Sequence, residues 1–297
     1  MQPGEHELPV RADDTLAVTF YGVRGSTPCC SPSVGRYGGN TSCVVVTAPH
    51  CVPLLLDLGT GAREYGRTIP AGKPFACRAL LTHLHWDHVQ GLPFFRPALV
   101  SGSHIELLAP PPGGGLGLST ALDSAIHPPF FPITLDELPA TVVLDEIETG
   151  VRLPFGDLGV VARNVPHLGP TVGYRLEWRG VAIAYIPDHQ QPPSGWGIDP
   201  EVLALADGVD LLIHDAQYSS AEFVAKQAWG HSTVPYAVEV ARRAGARTLA
   251  LFHHDPDHDD AMIDSLVQEA RVLATGHPLE VLGAAEGLSL TWVGRSG

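Results

Sequence analysis

Four side chains that can bind metals lie within six positions, in the run Leu80–His88 (LLTHLHWDH). An apolar strand is expected to deliver His83 and His85, which are two positions apart, so that both imidazoles leave it on one side. Asp87 and His88 follow in the turn and can reach a second ion next to the first. Imidazoles and carboxylates suit zinc and similar first-row divalent metals. A polar loop with chance histidines is the alternative, but this density of ligands after a buried strand favours a metal site.

The rest of the sequence predicts the elements that must position these ligands. Short segments rich in Val, Leu and Ile, mostly bounded by Gly, Pro or Asp, are typical of buried strands. Helical patterns appear in the second half, over Thr233–Ala244 after an N-cap at Ser232 and over Asp259–Leu273. The predicted strands are Leu16–Tyr21, Cys43–Thr47, Pro53–Leu56, Arg78–Leu81, Ile105–Leu108, Val160–Ala162, Val181–Ile186, Leu211–Ile213, Thr248–Phe252 and Leu288–Val293.

Strands mixed with helices predict an α/β protein whose sheets are covered by helices on their outer faces. No charged or Ser-rich linker divides the chain, so we expect one domain over residues 1–297, with residues 1–14 as a flexible tail. The segment from Pro110 to Pro132 is rich in Pro and Gly, and we interpret it as a loop insertion near the mouth of a site. Its phenylalanines can wall a pocket and stack on a base, or they can pack against the domain or at a dimer contact.

The charge and the cysteine content restrict the partners and the compartment. The chain has 18 Lys and Arg against 32 Asp and Glu, a formal net charge of −14, which repels a polyanion such as tRNA unless a local basic patch overcomes it. The N-terminus lacks the pattern of a secretory signal, and no apolar run is long enough to cross a bilayer. The five cysteines contain no C-x-x-C pair and fit reduced thiols. We therefore expect a cytoplasmic protein with a small substrate and no membrane partner.

The H-x-H-x-D-H run resembles the signature of the metallo-β-lactamase superfamily. The resemblance implies a four-layer αββα sandwich that holds two divalent metal ions, with zinc expected and manganese as the alternative. It also implies three further ligands at the ends of later apolar strands: His167, the metal-bridging Asp188, and His253. The adjacent His254 is an alternative to His253. The implied first site is His83, His85, His167 and Asp188, and the implied second site is Asp87, His88, His253 and Asp188.

Two further stretches resemble the ribonuclease Z and phosphodiesterase branch of that superfamily. In WGHST (229–233), the histidine of the branch contacts the scissile phosphate, and in LLIHDA (211–216), the acid of the branch binds that histidine. The resemblance implies that His231, held by Asp215, contacts the phosphate or acts as a general acid. Asp87 would receive the proton of the nucleophile. The alternative is that His231 lies in a helix-capping region and has no catalytic role.

The stretches FYGVRGSTP (20–28), YGGNT (37–41) and FHHDP (252–256) are similar to a bacterial subgroup described as cyclic-nucleotide-phosphodiesterase-like or ribonuclease Z-like. Ribonuclease Z carries a long basic arm that grips tRNA, and this sequence contains no Lys/Arg-rich insertion. Together with the acidic charge, this favours a small phosphodiester, such as a cyclic nucleotide, hydrolysed by a metal-bound hydroxide, and makes structured RNA an unexpected partner. Relatives suggest a homodimer.

Several alternatives stay open at this stage. The same metals could hydrolyse a carboxylic ester, a lactone or a β-lactam, or could process RNA 3′ ends, and a binding module that uses the metals as a ligand sensor is the non-catalytic alternative. Arg24 can pair with a phosphate or with a carboxylate in the core. Asp57 matches the strand-turn aspartate that orients ligands in the family, but a simple turn aspartate explains the local sequence equally well.

Overall fold

The computed structural model describes residues 14–193 and 197–295. Two mixed sheets pack against each other, and helices cover the outer face of each, so the four-layer αββα sandwich is confirmed. The predicted tail, residues 1–14, lies outside the described residues except for Asp14, which accepts a hydrogen bond from Arg179 (2.9 Å). Within the described ranges, no helix is long and apolar enough to span a bilayer.

The first sheet carries the HLHWDH segment after one of its strands. It consists of β1 (Thr15–Gly22), β2 (Cys43–Thr47), β3 (Leu54–Leu56), β4 (Ala76–Leu80), β5 (His104–Ala109), β6 (Thr141–Glu146) and β14 (Ser289–Val293). The order across the sheet is β14-β1-β2-β3-β4-β5-β6. Pairs from β14 to β3 are antiparallel, and pairs from β3 to β6 are parallel.

The second sheet repeats this plan with the order β13-β12-β11-β10-β9-β8-β7. It consists of β7 (Arg152–Phe155), β8 (Leu158–Asn164), β9 (Val172–Trp178), β10 (Val181–Ile186), β11 (Leu211–Asp215), β12 (Thr248–Phe252) and β13 (Glu280–Gly283). Its strands from β7 to β10 pair antiparallel, and those from β10 to β13 pair parallel. Parallel strands end at one edge of the sheet, which is where their following loops can build a site.

Burial on both faces explains why β10 reads as an uninterrupted apolar run (VAIAYI). Val181, Ile183 and Tyr185 point into the core between the two sheets. Ala182, Ala184 and Ile186 point to the opposite side, into the cluster that packs the sheet against helices. Side chains alternate along a strand, so a strand covered on both faces needs apolar residues at every position.

Seven α-helices lie among the described residues, and five of them form the two outer layers. The seven are α1 (Gly61–Thr68), α2 (Trp86–Val89), α3 (Leu118–Ala125), α4 (Pro200–Ala206), α5 (Ser220–Lys226), α6 (Val234–Ala244) and α7 (Asp260–Leu273). Helices α1 and α3 pack on the first sheet, whereas α4, α6 and α7 pack on the second. The predicted N-cap at Ser232 is wrong: Tyr236 N–H donates to Thr233 Oγ1 (3.3 Å), while Ser232 Oγ donates to His189 O (2.6 Å).

The ten predicted strands are all present, with ends shifted by at most a few residues. Four strands were not predicted, because their charged residues, Gly or Pro interrupt the apolar pattern. Five of the helices were also missed, since they are too short for a helical period to stand out. The missed strands are β6, β7, β9 and β13, and the missed helices are α1, α2, α3, α4 and α5.

Candidate metal centre

The second sheet brings its candidate residues together at the edge where its parallel strands end. Asp188 follows β10, Asp215 is the last residue of β11, and His253 follows β12. His167 follows β8 and lies against them, with its ring centroid 5.5 Å from that of His231. Strand order therefore explains why residues that are far apart in the sequence meet here.

The first sheet presents the HLHWDH segment to the same edge. The spacing of His83 and His85 predicted that the strand itself would carry them. Strand β4 ends at Leu80, however, so both lie in the following loop. Their ring centroids are nevertheless only 4.4 Å apart. Asp87 and His88 lie in the short helix α2, and both are buried.

Three histidines form a first group of potential ligands. The ligand atoms of His83, His85 and His167 all lie within 4.8 Å of one another, and His167 Nε2 is 3.2 Å from His85 Nδ1. Asp188 Oδ1 faces this group, 3.6 Å from His167 Nε2 and 4.0 Å from His83 Nε2.

Asp87, His88 and His253 form a second group around the other oxygen of Asp188. Asp188 Oδ2 lies 3.0 Å from His88 Nε2 and 3.4 Å from His253 Nε2. Asp87 Oδ2 lies 3.3 Å and 3.1 Å from the same two nitrogens. One carboxylate thus presents one oxygen to each group, which is the geometry that a shared ligand requires.

Several nitrogen and oxygen atoms of these two groups are buried without a hydrogen-bond partner in the described part of the chain, as expected for metal ligands. His83 Nε2, His88 Nε2 and Asp188 Oδ2 are buried and have no hydrogen-bond partner of acceptable geometry among the described residues. Leaving a buried polar atom unpaired is costly. Nitrogen and carboxylate donors at these spacings suit first-row divalent cations, so divalent ions bound here would supply the missing partners.

Burial prepares the first group to bind a cation. It lowers the pKa of His83 well below the ordinary value, and the neighbouring His88 adds to the effect. Burial also lowers the pKa of His85 and of His167, although the Asp188 carboxylate opposes it. Neutral imidazole is the form that binds a metal. This group is therefore in its metal-binding form at neutral pH.

The second group has the opposite electrostatics. Burial disfavours a charged His88, but Asp87, Asp188 and Asp57 outweigh it and raise its pKa well above the ordinary value. The pKa of His253 is raised in the same way, chiefly by Asp188 against burial. Burial alone would raise the pKa values of Asp87 and Asp188, yet the adjacent histidines hold both well below the ordinary range. These directions favour imidazolium–carboxylate pairs in the second group when no metal is bound.

This difference predicts that metal binding to the second group releases protons and that binding to the first does not. Titrating metal-free protein near pH 7 in buffers of different ionisation enthalpy should give one binding phase whose heat depends on the buffer, with about one proton or more released. Because the raised histidine pKa values make protons compete with metal, affinity in that phase should rise with pH. His254→Gln, outside both groups, should behave like wild type. Buffer-independent heats in both phases would contradict the assignment.

Asp57 holds His88 of the second group by a hydrogen bond from the ring nitrogen that faces away from Asp87 and Asp188. Its Oδ2 accepts hydrogen bonds from His88 Nδ1 (2.8 Å) and Tyr185 Oη (2.9 Å), and its Oδ1 accepts from Thr82 N–H (2.8 Å). These bonds fix the His88 ring so that Nε2 points at Asp87 and Asp188. Of the two interpretations of Asp57, the contacts favour the one in which it orients a ligand.

The contacts also distinguish His253 from His254. His253 Nδ1–H donates to Gln217 Oε1 (2.8 Å), which leaves Nε2 directed at the two carboxylates. His254 points elsewhere: its Nε2 donates to Ala284 O (2.9 Å), and burial lowers its pKa to about 3. His253 is therefore the one that joins the cluster. Gln217 was not predicted, and its position two residues after Asp215 is the only local signal for it.

Gly230 holds His167 through a close backbone contact. His167 Nδ1–H donates to Gly230 O (2.7 Å), and a Cβ on Gly230 would lie 2.5 Å from His167 Cε1. The residue also has a φ of +94°, which is costly for any residue with a side chain.

We expect Gly230→Ala to displace the His167 ring and to lower bound metal towards one ion per chain, as measured by elemental analysis. Gly276→Ala is the matched control, because Gly276 has a φ of +82° but a Cβ added there would meet nothing within 4 Å. The control should keep the metal content of wild type. Equal metal content in the two variants would show that the contact with His167 is unimportant.

His231 and Asp215 form a pair beside both groups. His231 Nδ1–H donates to Asp215 Oδ2 (2.9 Å), and Asp215 is held in turn by the backbone N–H groups of His189 (3.1 Å) and Gln217 (3.0 Å). The His231 ring stacks on that of His253 at 4.9 Å between centroids. With Nδ1 engaged, Nε2 is the nitrogen that remains for a substrate.

Two expectations about the surroundings need correction. Arg24 pairs with no carboxylate among the described residues: it is fully buried, and it donates to the carbonyl oxygens of Gly38 (2.7 Å), Asp255 (3.0 Å) and His258 (2.6 Å). The Pro110–Pro132 segment is not a simple loop, because it contains α3, and its beginning lines the site. Pro110 and Pro112 border a hollow of about 210 Å³ beside His83 and His85, whereas Phe130 is 83% exposed.

Comparisons with known proteins identify the family of the chain. Residues 72–254 match the family described as "Beta-lactamase superfamily domain", and the chain belongs to this superfamily. The ribonuclease Z of Haloarcula marismortui is 28% identical, in an alignment that covers 92% of this chain and 96% of that protein. The chain is therefore a ribonuclease Z-like, metal-dependent hydrolase.

Solved structures show the same fold. The metallo-β-lactamase fold protein YhfI from Bacillus subtilis superposes with a TM-score of 0.71 at 19% identity, over 94% of this chain and 100% of that one. A diphosphatase from the PhnP family superposes with a TM-score of 0.68 at 17% identity, over 95% of this chain and 100% of that one.

Proposed function

We propose that this hydrolase cleaves a small phosphodiester, such as a cyclic nucleotide, with two divalent ions, zinc or manganese. The observation that carries the proposal is the His231–Asp215 pair, which lies against both ligand groups with one ring nitrogen uncommitted. Cleavage of a phosphodiester builds up negative charge on the phosphoryl oxygens as well as on the leaving alkoxide, and an imidazole in this position could bind the first or protonate the second. The proposed ligands are His83, His85 and His167 for the first ion, Asp87, His88 and His253 for the second, and Asp188 for both.

Each side chain has a role that its contacts support. When bound, the ions would supply Lewis acidity and activate water at neutral pH. Asp215 fixes the His231 tautomer through Nδ1, so that Nε2 can contact a phosphoryl oxygen or deliver a proton to the leaving alcohol. Asp87, whose Oδ2 is held by Ser26 N–H at 2.7 Å, would accept the proton of the attacking water. A similar His–Asp pair in other hydrolases serves both to orient and to stabilise the charged imidazole.

RNA 3′-end processing is the second candidate, because the similarity to ribonuclease Z covers nearly the whole chain. This similarity conflicts in part with the expectation that structured RNA is not a partner. The formal net charge of −14 favours the small substrate, since a tRNA precursor would approach a repulsive field.

A turnover screen on protein of measured metal content tests the proposal. The substrates are bis-(p-nitrophenyl) phosphate, 2′,3′- and 3′,5′-cyclic nucleotides, a tRNA precursor with a 3′ trailer, and a lactone. We expect hydrolysis of the small phosphodiesters and loss of that activity in a chelator. Faster turnover of the tRNA precursor would establish the second candidate, and hydrolysis of the lactone alone would refute both.

A further inference from the structure

A second, larger hollow opens beside His231, on the side away from Pro110 and Pro112. Its volume is about 390 Å³, which is within the range of pockets for small ligands. Leu168, the residue after His167, lines both hollows and separates them. The walls of the larger hollow, here called the Trp229 cleft, include Tyr218, Lys226, Trp229, His231, Asp255 and Asp257.

Trp229 presents an exposed ring on a rigid segment of this cleft. The residue is 60% exposed and lies two positions before His231. Gln190 braces the segment on both sides of it: its Nε2 donates to Gln227 O (2.7 Å), and its Oε1 accepts from Gly230 N–H (2.7 Å). A backbone that is already held in place on both sides of the tryptophan reduces the entropy lost when a ligand stacks on its ring.

Lys226 supplies a fixed cation that is already neutralised. The chain has only two lysines, and the other is Lys73. Lys226 Nζ lies 3.0 Å from Asp255 Oδ2, 4.5 Å from the centroid of the Tyr218 ring and 5.7 Å from that of Trp229. Since Asp255 cancels its charge and Asp257 adds another carboxylate at the rim, the cleft is unsuited to a second phosphate or to a polyphosphate chain.

The combination of groups instead matches a neutral planar ring with polar edges. An aromatic face permits stacking, a lysine donates hydrogen bonds, and a carboxylate accepts them from amino groups. We propose that the Trp229 cleft binds the nucleobase of the substrate, with Trp229 against its face and Lys226 and Asp257 near its edge. This inference rests on the proposed phosphodiesterase function and narrows it to single nucleotides rather than RNA chains.

The test compares two substrates that share the reacting group and differ only in the base. One is an adenosine cyclic phosphate, 2′,3′ or 3′,5′, whichever is turned over faster, and the other is the methyl riboside cyclic phosphate of the same ring size. Base stacking should give the nucleotide an advantage in kcat/KM of about tenfold or more. Trp229→Leu should remove most of this advantage by raising KM for the nucleotide, and Trp229→Phe should retain part of it.

Phe130→Leu is the matched control, because Phe130 is an exposed aromatic residue that is not among those lining either hollow. It should leave the advantage of the nucleotide unchanged. If wild type hydrolyses both substrates equally, or if Phe130→Leu and not Trp229→Leu removes the preference, the base does not occupy this cleft, although the phosphodiesterase proposal stands.

A binding measurement separates this outcome from failure of the proposed function. If metal-loaded protein hydrolyses no phosphodiester, the phosphodiesterase proposal is refuted, and calorimetry with adenosine monophosphate and ribose 5-phosphate decides the cleft. Tighter binding of the nucleotide, weakened about tenfold by Trp229→Leu, would support a nucleobase site. Equal affinity for the two phosphates would overturn it.

Discussion

Asp188→Asn is expected to remove most of the bound metal and to reduce kcat/KM by about 10³-fold or more. Asp188 Oδ1 faces His83 and His167, and Oδ2 faces His88 and His253. An amide of the same shape is uncharged and offers one oxygen only, so it cannot serve both groups. Elemental analysis and turnover of bis-(p-nitrophenyl) phosphate measure the two effects on the same sample.

Asp210→Asn is the matched control for this variant. Asp210 is also a buried carboxylate of the second sheet, but it precedes β11 at the opposite edge and pairs with Arg247 at 3.3 Å. Its replacement should lower the free energy of unfolding and leave the metal content per folded chain unchanged. Full metal content in Asp188→Asn would show that this carboxylate does not bridge the two groups.

His231→Ala is expected to lower kcat for phosphodiesters by on the order of 10²–10⁴-fold while the metal content stays at the wild-type value. The His231 ring stacks on His253 and its Nδ1 lies 3.7 Å from Asp188 Oδ1, but its hydrogen bond goes to Asp215. Its loss should therefore impair protonation of the leaving alcohol and not the binding of the ions. Steady-state kinetics together with elemental analysis separate the two effects.

The leaving group provides the sharper comparison. A p-nitrophenolate departs without a proton, so His231→Ala should harm turnover of bis-(p-nitrophenyl) phosphate less than turnover of an alkyl ester such as a cyclic nucleotide. The double variant His231→Ala/Asp215→Asn should be no slower than His231→Ala, because Asp215 acts through that ring. His104→Ala is the control for loss of an imidazole, because His104 is a half-exposed histidine at the start of β5, far from the candidate metal centre. Equal losses for both leaving groups would assign His231 to phosphate binding and not to proton transfer.

Some features of the site could be predicted from the sequence because they are local. HLHWDH follows an apolar strand, and its ligand-type residues are visible in the printed chain. The resemblance to the superfamily then implied His167, Asp188 and His253, each of which follows another apolar strand. Strand β10 is buried on both faces, and the sequence indicates this by an unbroken apolar run. Parallel strands must then end at a common edge, which places their following residues together.

Other features depend on contacts between distant segments. The choice of His253 over His254 follows from Gln217 and Ala284, which receive the two imidazole hydrogen bonds, and His253 adopts a φ of +59° that no local pattern indicates. Arg24 was expected to meet an anion because guanidinium groups usually do. In the fold, it instead satisfies backbone carbonyls of two loops.

From residue type and periodicity, the sequence by itself determined most of the strands and the cluster of candidate ligands in HLHWDH, and its resemblance to the metallo-β-lactamase superfamily implied the later candidate ligands and the layers of the sandwich. Only the tertiary structure decided which oxygen of Asp188 serves which group, how Gly230 holds His167, and that Trp229 and Lys226 share a cleft with His231. The physical reason is that a side chain's direction is set by the packing of every segment around it, and most of those segments are remote in the chain.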